Sequence, residues 1–451
     1  MQERERIKNE QLGGGVTDNT GFSWLFCYNA TVQRYPIEIS PDEFPILRRL
    51  ARRVLELSEL PIQQERIRLW KAHLSLSETR PLVFIDPELA WYEILPHTVL
   101  QCHTALGRIY EYRLLKEIYW QENIGDDRVC RRTFSVPSFV TIGDFGLTPR
   151  RTGGKNGGAY HLEPVIEDYD RDLPKLHFRD VIYDREKSER LLSLTKDVFD
   201  GILDVVVDNS YWYSFGLTCD LVQLRGFENY LYDFYDYPDE LKAAMAFLRD
   251  DSLHLIDALE RQNLLSLNNG GEFMGTGGYG WCDELPSEGF DPSHIRTQDL
   301  WGYGESQESV SISPDAYGEF VLPYITPILS RFGLNAYGCC EPLDNYIDLI
   351  KKEVPRLRKV SVPPWSSIER MADALGRDYV FCWKMNPSIL AGQSINEDAI
   401  RDEVRKTFRI THENGCPTEV LMRDVRTLNY DPTYAKRWTS IVLEEGRRLF
   451  E

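Results

Sequence analysis

The stretch LNAYGCCEPLDNYIDLIKKEVPRLRKVSVPPWSSIERMADALGRDYVFCWK, residues 334–384, holds the fold in miniature. Short apolar runs at 334–337, 359–362 and 379–383 alternate with helical-period segments at 343–353 and 366–375. Short apolar strands separated by helices point to a parallel sheet buried on both faces. The rhythm continues outward. Downstream, helix 396–414 leads to strand 418–422 and a terminal helix 434–449. Upstream, strand 300–303 precedes helix 314–332, strand 264–268 follows helix 238–262, and strand 220–225 follows helix 187–206. With a further strand at 81–86, about eight repeats favour an α/β fold closed as a (β/α)8 TIM barrel over an open sheet.

Ser40-Pro41-Asp42-Glu43 is a helix-start signal with proline in the first turn. Helices are expected over 42–58, 62–76 and 103–122, which gives the barrel an N-terminal helical extension. Residues 1–40, with Gly13, Gly14 and Gly15, read as a mobile extension ahead of one domain over 41–451. Segment 123–190 is rich in charge, glycine and proline, and 150–158 reads as a flexible basic loop.

The 451 residues are 42% hydrophobic and 27% charged, which excludes wholesale disorder. The formal charge is −19. Nucleic acid and anionic membrane both need a basic face, so neither is an expected partner. No run nears the roughly 18 apolar residues of a membrane span, and the N-terminus has no apolar signal core. Nine cysteines without disulfide-like spacing fit a reducing cytoplasm. Neither G-x-G-x-x-G after the first strand nor a phosphate-binding P-loop is present, so nothing announces a nucleotide site.

Barrel chemistry belongs at the C-terminal strand ends. There the sequence places Asp86, Arg225, Asn268 to Glu272, Glu305 to Glu308, Cys339-Cys340-Glu341, Trp365, Lys384 to Asn386, and Arg423-Asp424. Vicinal thiols beside a carboxylate suit a soft metal such as zinc, and equally suit a pair of buried small hydrophobes. Strand alternation would put Cys339 and Glu341 on one face and Cys340 on the other, unless the strand has already ended. A further ligand would come from Glu305, Glu308, Asp424, Cys382 or Cys416. The segment 270–281, rich in glycine and aromatics, reads as a lid over an apolar ligand or as an irregular surface loop. Trp281, Trp301, Tyr303, Trp365 and Trp383 form an expected aromatic mouth for a flat organic substrate. Asn268, Glu272, Tyr337 and Asn386 join the mouth as candidate substrate contacts.

Three ordered motifs resemble the uroporphyrinogen decarboxylase superfamily. They are Leu224-Arg-Gly-Phe-Glu-Asn-Tyr-Leu231 with Tyr237-Pro-Asp-Glu-Leu241, Ser313-Pro-Asp-Ala-Tyr317 running on to Pro323-Tyr324, and Lys384-Met-Asn-Pro387 running on to Gly392. The resemblance spans about 187–424 and implies a (β/α)8 barrel. True decarboxylases of the superfamily carry an early R-Q-A-G-R motif for their many-carboxylate substrate. Here Arg80-Pro-Leu-Val-Phe84 occupies that place without the arginine pair. The corrinoid-dependent methyltransferase branch is the nearer likeness. Its members hold zinc through His-x-Cys and a later cysteine, and Tyr337-Gly338-Cys339 stands where His-x-Cys would be. On this resemblance Cys339, Cys340, Glu341 and Cys416 are the metal candidates.

The resemblance implies transfer of a methyl group from a small donor, such as a methoxylated aromatic, to the cobalt of a corrinoid carried by a partner protein. An ether needs its leaving oxygen protonated or coordinated. Glu305, Glu308, Lys384 and Asp424 are the catalytic candidates for that step. A homodimer is the expected assembly from the family. Two rivals are a lyase acting on a carboxylated substrate, which a pocket rich in arginine would favour, and a non-catalytic binder.

Overall fold

The computed structural model describes residue 32 and residues 34–153, 160–209, 215–272 and 278–450. The chain opens with helices α1 (Phe44–Ser58) and α2 (Pro61–Leu74), strand β1 (Leu82–Ile85) and helix α3 (Ala105–Tyr119). Then come β2 (Thr133–Val136), β3 (Phe139–Ile142), β4 (Arg150–Gly153), β5 (Tyr160–Glu163), β6 (Val181–Asp184), α4 (Arg185–Phe199) and β7 (Asp204–Val207). Helices α5 (Leu217–Arg225), α6 (Phe227–Asp236) and α7 (Pro238–Arg261) lead to β8 (Trp301–Gly304). The last part alternates: α8 (Pro314–Phe320), α9 (Leu322–Leu329), β9 (Leu334–Tyr337), α10 (Ile347–Glu353), β10 (Leu357–Val362), α11 (Ile368–Leu375), β11 (Val380–Lys384), α12 (Glu397–Glu413), β12 (Thr418–Met422) and α13 (Thr433–Phe450).

The fold is mixed α/β around a six-stranded parallel sheet in the order β1-β12-β11-β10-β9-β8. β1, β8, β9, β11 and β12 are buried at every position. This is why their sequences run apolar instead of alternating. Side-chain caps start the helices that return the chain. Ser313 accepts from Ala316 N ahead of Pro314, and Asn396 accepts from Ala399 N. A second core packs α1, α3 and α4 through Leu47, Tyr110 and Leu191.

Three expectations need correction. Residues 220–225 lie within helix α5 and form no strand. Leu217, Leu221 and Leu224 are buried at helical spacing between Gly216 and Gly226, and a six-residue apolar run hides that period. Residues 264–268 form no ladder. The Asn268 amide does the work of a neighbouring backbone, accepting from Trp301 N at 2.9 Å and donating to Trp301 O at 3.0 Å. The expected helix 314–332 breaks at Val321, just before Pro323.

The expected loop region 123–190 contains five strands, antiparallel in the pairs β3–β6 and β4–β5, while β2 pairs in parallel with β7 beyond it. Much of the expected N-terminal extension lies outside the described residues. Within it Ile37 and Ile39 are buried in the second core. Among the described residues no helix is long and apolar enough to cross a membrane.

Candidate functional site

The six strands are parallel, so their C-terminal ends share one edge. At the end of β9 the strand has stopped and Gly338 turns the chain with φ +94°. Face alternation therefore no longer separates the cysteines, and Cys339 Sγ lies 3.4 Å from Cys340 Sγ. Neighbouring strand ends tie the turn down. Tyr303 OH donates to Gly338 O at 2.7 Å, Ser361 Oγ to Cys339 O at 2.8 Å, and Lys384 Nζ to Cys339 O at 2.7 Å. Trp365 Nε1 donates to Cys340 O at 2.9 Å while its ring stays 64% exposed.

The electrostatics separate the two thiols. The hydrogen bond with Cys339 pulls the Cys340 thiol below its ordinary range. Burial opposes this and the Lys384 charge assists it. The same hydrogen bond, together with burial, pushes Cys339 well above. Burial works against charge on Lys384, yet the thiols around it hold its proton more firmly than in an ordinary lysine. Burial raises Glu341, although its carboxylate accepts from Cys339 N at 2.8 Å and Ser306 N at 3.1 Å.

Cys340, Lys384, Asn386 and Asp424 open onto one cleft of about 550 Å³. Pro363, Trp365 and Met385 give it apolar wall. Asp424 enters with φ +58°, a left-handed backbone that Asp tolerates better than most residues. These four expected site residues, and the expected mouth residue Trp365, thus meet here, with Cys339 and Glu341 directly behind.

Other expected residues sit elsewhere. Glu305 is buried next to Ser306 and accepts from Gln307 Nε2 at 3.0 Å. Glu308 accepts from Thr218 Oγ1 at 2.8 Å under α5, and burial raises its pKa. Asn268 and Trp301 are bonded to each other, and the Trp301 indole donates to Gly280 O. Tyr303 is a buried brace for the Gly338 turn, and Tyr337 OH lies 2.6 Å from Tyr317 OH in the interior. Trp281 packs partly buried against the core, and residues 273–277 of its loop lie outside the described residues.

Zinc needs three or four converging donors. Cys416 precedes β12, at the opposite end of the sheet from Cys339, and its Sγ contacts Ala372 O at 3.4 Å. The Glu341 carboxylate is held by two backbone N–H groups. Among the described residues no three His, Cys, Asp or Glu side chains gather as metal ligands would. The expected ligand set is therefore corrected to a thiol pair, which does not fit zinc.

A second, smaller cavity of about 170 Å³ adjoins the first, and Arg423 lines both. Its walls include Asp86 from the end of β1, Lys116 from α3, Arg131 and Glu272. Arg131 pairs with Glu272 at 2.6 Å, and Arg423 pairs with Glu88 at 2.5 Å. Lys116 Nζ lies 4.9 Å from the centre of the Trp91 ring. Burial pushes this lysine down to about 7. Sequence reading placed Glu272 in the mouth and missed Lys116. Its signal was Tyr112, one helical turn away, whose ring centre is 5.2 Å from the ammonium.

No family model matches the chain. No curated protein matches it either. Among solved structures, a methyltransferase from Methanosarcina mazei is similar with a TM-score of 0.44 and 10% sequence identity, covering 84% of this chain and 97% of that one.

Proposed function

We propose that this protein is a methyltransferase of the uroporphyrinogen decarboxylase-like type, its sheet closing as a (β/α)8 barrel and its reaction running in the cleft beside Cys340. One observation carries the reading: a thiol, an ammonium and a carboxylate (Cys340, Lys384 and Asp424) share an open cleft with an apolar wall. The donor's methyl-bearing heteroatom would face Cys340 and Lys384. As its bond to carbon stretches, negative charge grows against the Lys384 ammonium, and the Cys340 thiol supplies the proton. The Cys339 S–H then stabilises the thiolate left behind. Pro363, Trp365 and Met385 give the reacting atoms an apolar wall. A corrinoid on a partner protein would supply a cobalt nucleophile at the cleft mouth, where Trp365 is exposed. Zinc has no part in this scheme.

The test is methylcobalamin formation, followed by absorbance, with a panel of methyl ethers and a reduced corrinoid protein. Lys384→Met is expected to lower the rate by about 100-fold or more, and Cys340→Ser to lower it as well. Wild-type activity unchanged in Lys384→Met would remove the cleft from the mechanism.

A second reading, a lyase on a small carboxylated substrate, draws support from Arg131 and Arg423 in the adjoining cavity. That cavity is below the roughly 300–1,000 Å³ of ordinary ligand pockets, which argues against a tetrapyrrole-sized substrate. Carbon dioxide release without methylcobalamin would favour the lyase.

A further inference from the structure

We infer that the smaller cavity is a binding site for the carboxylate of a small monoanionic ligand, anchored by Lys116, Arg113, Arg131 and Arg423. The cavity wall holds five cationic side chains against four carboxylates. The whole chain has the opposite balance, with a net charge of −19. Ion pairs such as Arg131 with Glu272 leave the wall near balance, with a slight positive excess when Lys116 carries its proton, and in a low-dielectric cavity that balance favours one added negative charge.

The wall chemistry narrows the ligand. Arg113 is held over the Phe134 ring at 4.1 Å while it donates to Ser135 O at 2.7 Å and Ser135 Oγ at 3.1 Å. Its planar guanidinium is thereby fixed before any ligand arrives, which lowers the ordering cost of binding. Trp91 and Phe134 offer apolar wall for the rest of the molecule. The four carboxylates make a dianion a poorer guest than a monoanion. A volume of about 170 Å³ admits a single ring or a short chain.

Lys116 gives the site a signature. Burial lowers its proton affinity first. Arg128 and Arg113 lower it further, and Asp86 and Glu88 oppose them, leaving it at about 7. The Trp91 and Tyr112 rings complete its surroundings. A bound carboxylate adds a negative neighbour, so binding above neutral pH must draw a proton onto Lys116. Carboxylate binding here is independent of the reaction run in the cleft.

The experiment is calorimetric titration of the full chain with sodium benzoate, beside benzyl alcohol as the uncharged analogue and inorganic phosphate as a different anion. Benzoate is expected to bind and benzyl alcohol not. Benzoate affinity should fall by up to about tenfold per pH unit above the Lys116 titration, with proton uptake seen as a heat that depends on the buffer. Lys116→Met should weaken benzoate on the order of tenfold at about pH 6 and abolish the pH step. Lys116→Arg should bind without the pH step, which separates loss of the site from loss of fold. Absent benzoate binding, equal binding of benzyl alcohol, tighter binding of phosphate, or a pH step surviving in both variants would each overturn the assignment. If benzoate binds as described while no methyl donor is turned over, only the methyl-transfer reading falls.

Discussion

Glu419 shows how strongly one neighbour decides the state of a buried group. Burial alone would raise its pKa, but Lys359 at 2.7 Å and His73 at 3.2 Å hold it down at about 2. Its folded-state pKa lies below the unfolded one, so its contribution to stability is present above about pH 4.3 and is lost as pH falls toward 2. Glu419→Gln leaves Lys359 buried without its anion and is expected to cost about 3–5 kcal/mol. Replacing both, as Lys359→Met with Glu419→Leu, should cost less than the single change. Denaturant unfolding checks this, and a Glu419→Gln loss under about 1 kcal/mol would contradict it. The same logic applies to Cys340. Of the eight described cysteines, this thiol is pulled down and also lines an open cleft. Among these eight, iodoacetamide should modify it first, as peptide mass spectrometry would show. Cys339→Ala should move its alkylation rate profile to higher pH by about one unit, because the hydrogen bond that lowers Cys340 is lost.

At the scale of elements, the turn after β9 does what neither strand nor helix can do. It ends face alternation and brings two consecutive side chains together. That depends on Gly338, whose φ of +94° penalises any Cβ, and a Cβ there would also meet Ser361 Cβ at 3.2 Å. Gly338→Ala should cost about 1–3 kcal/mol and abolish the preferential alkylation of Cys340. A variant with unchanged unfolding and unchanged labelling would show that the turn does not set the thiol pair. The sequence order Y-G-C-C announced reactive residues at a strand end. It did not announce the turn, because a glycine's φ is set by what surrounds it.

For the whole molecule, the question is how two cavities of different character share one face. The larger has apolar wall and a thiol, and the smaller is lined by charge. Arg423 borders both. Arg423→Gln should therefore impair benzoate binding and methyl transfer together, each on the order of tenfold or more. Lys116→Met should impair benzoate binding in the smaller cavity alone if the methyl donor bears no carboxylate. Parallel calorimetry and turnover assays on both variants decide this, and an Arg423→Gln effect confined to one cavity would uncouple them.

The local chemistry of the chain, read from its sequence, determined a great deal. Mostly apolar runs of four to six residues between helical periods marked β1 and β8 through β12, because parallel strands buried on both faces are apolar at most of their positions. Polar residues clustered where those strands end, which brought Lys384, Asn386, Cys340 and Asp424 into view. Tertiary structure alone decided the rest. It put Cys416 at the far end of the sheet, turned the Glu341 carboxylate to backbone amides, and made Asn268 a brace for Trp301. It also carried Lys116 from a helix far upstream to a wall shared with Arg423. Periodicity reports which face of an element is buried. Convergence of side chains from distant elements depends on register, crossing and turn geometry, and these are set by packing against partners that the local sequence does not contain.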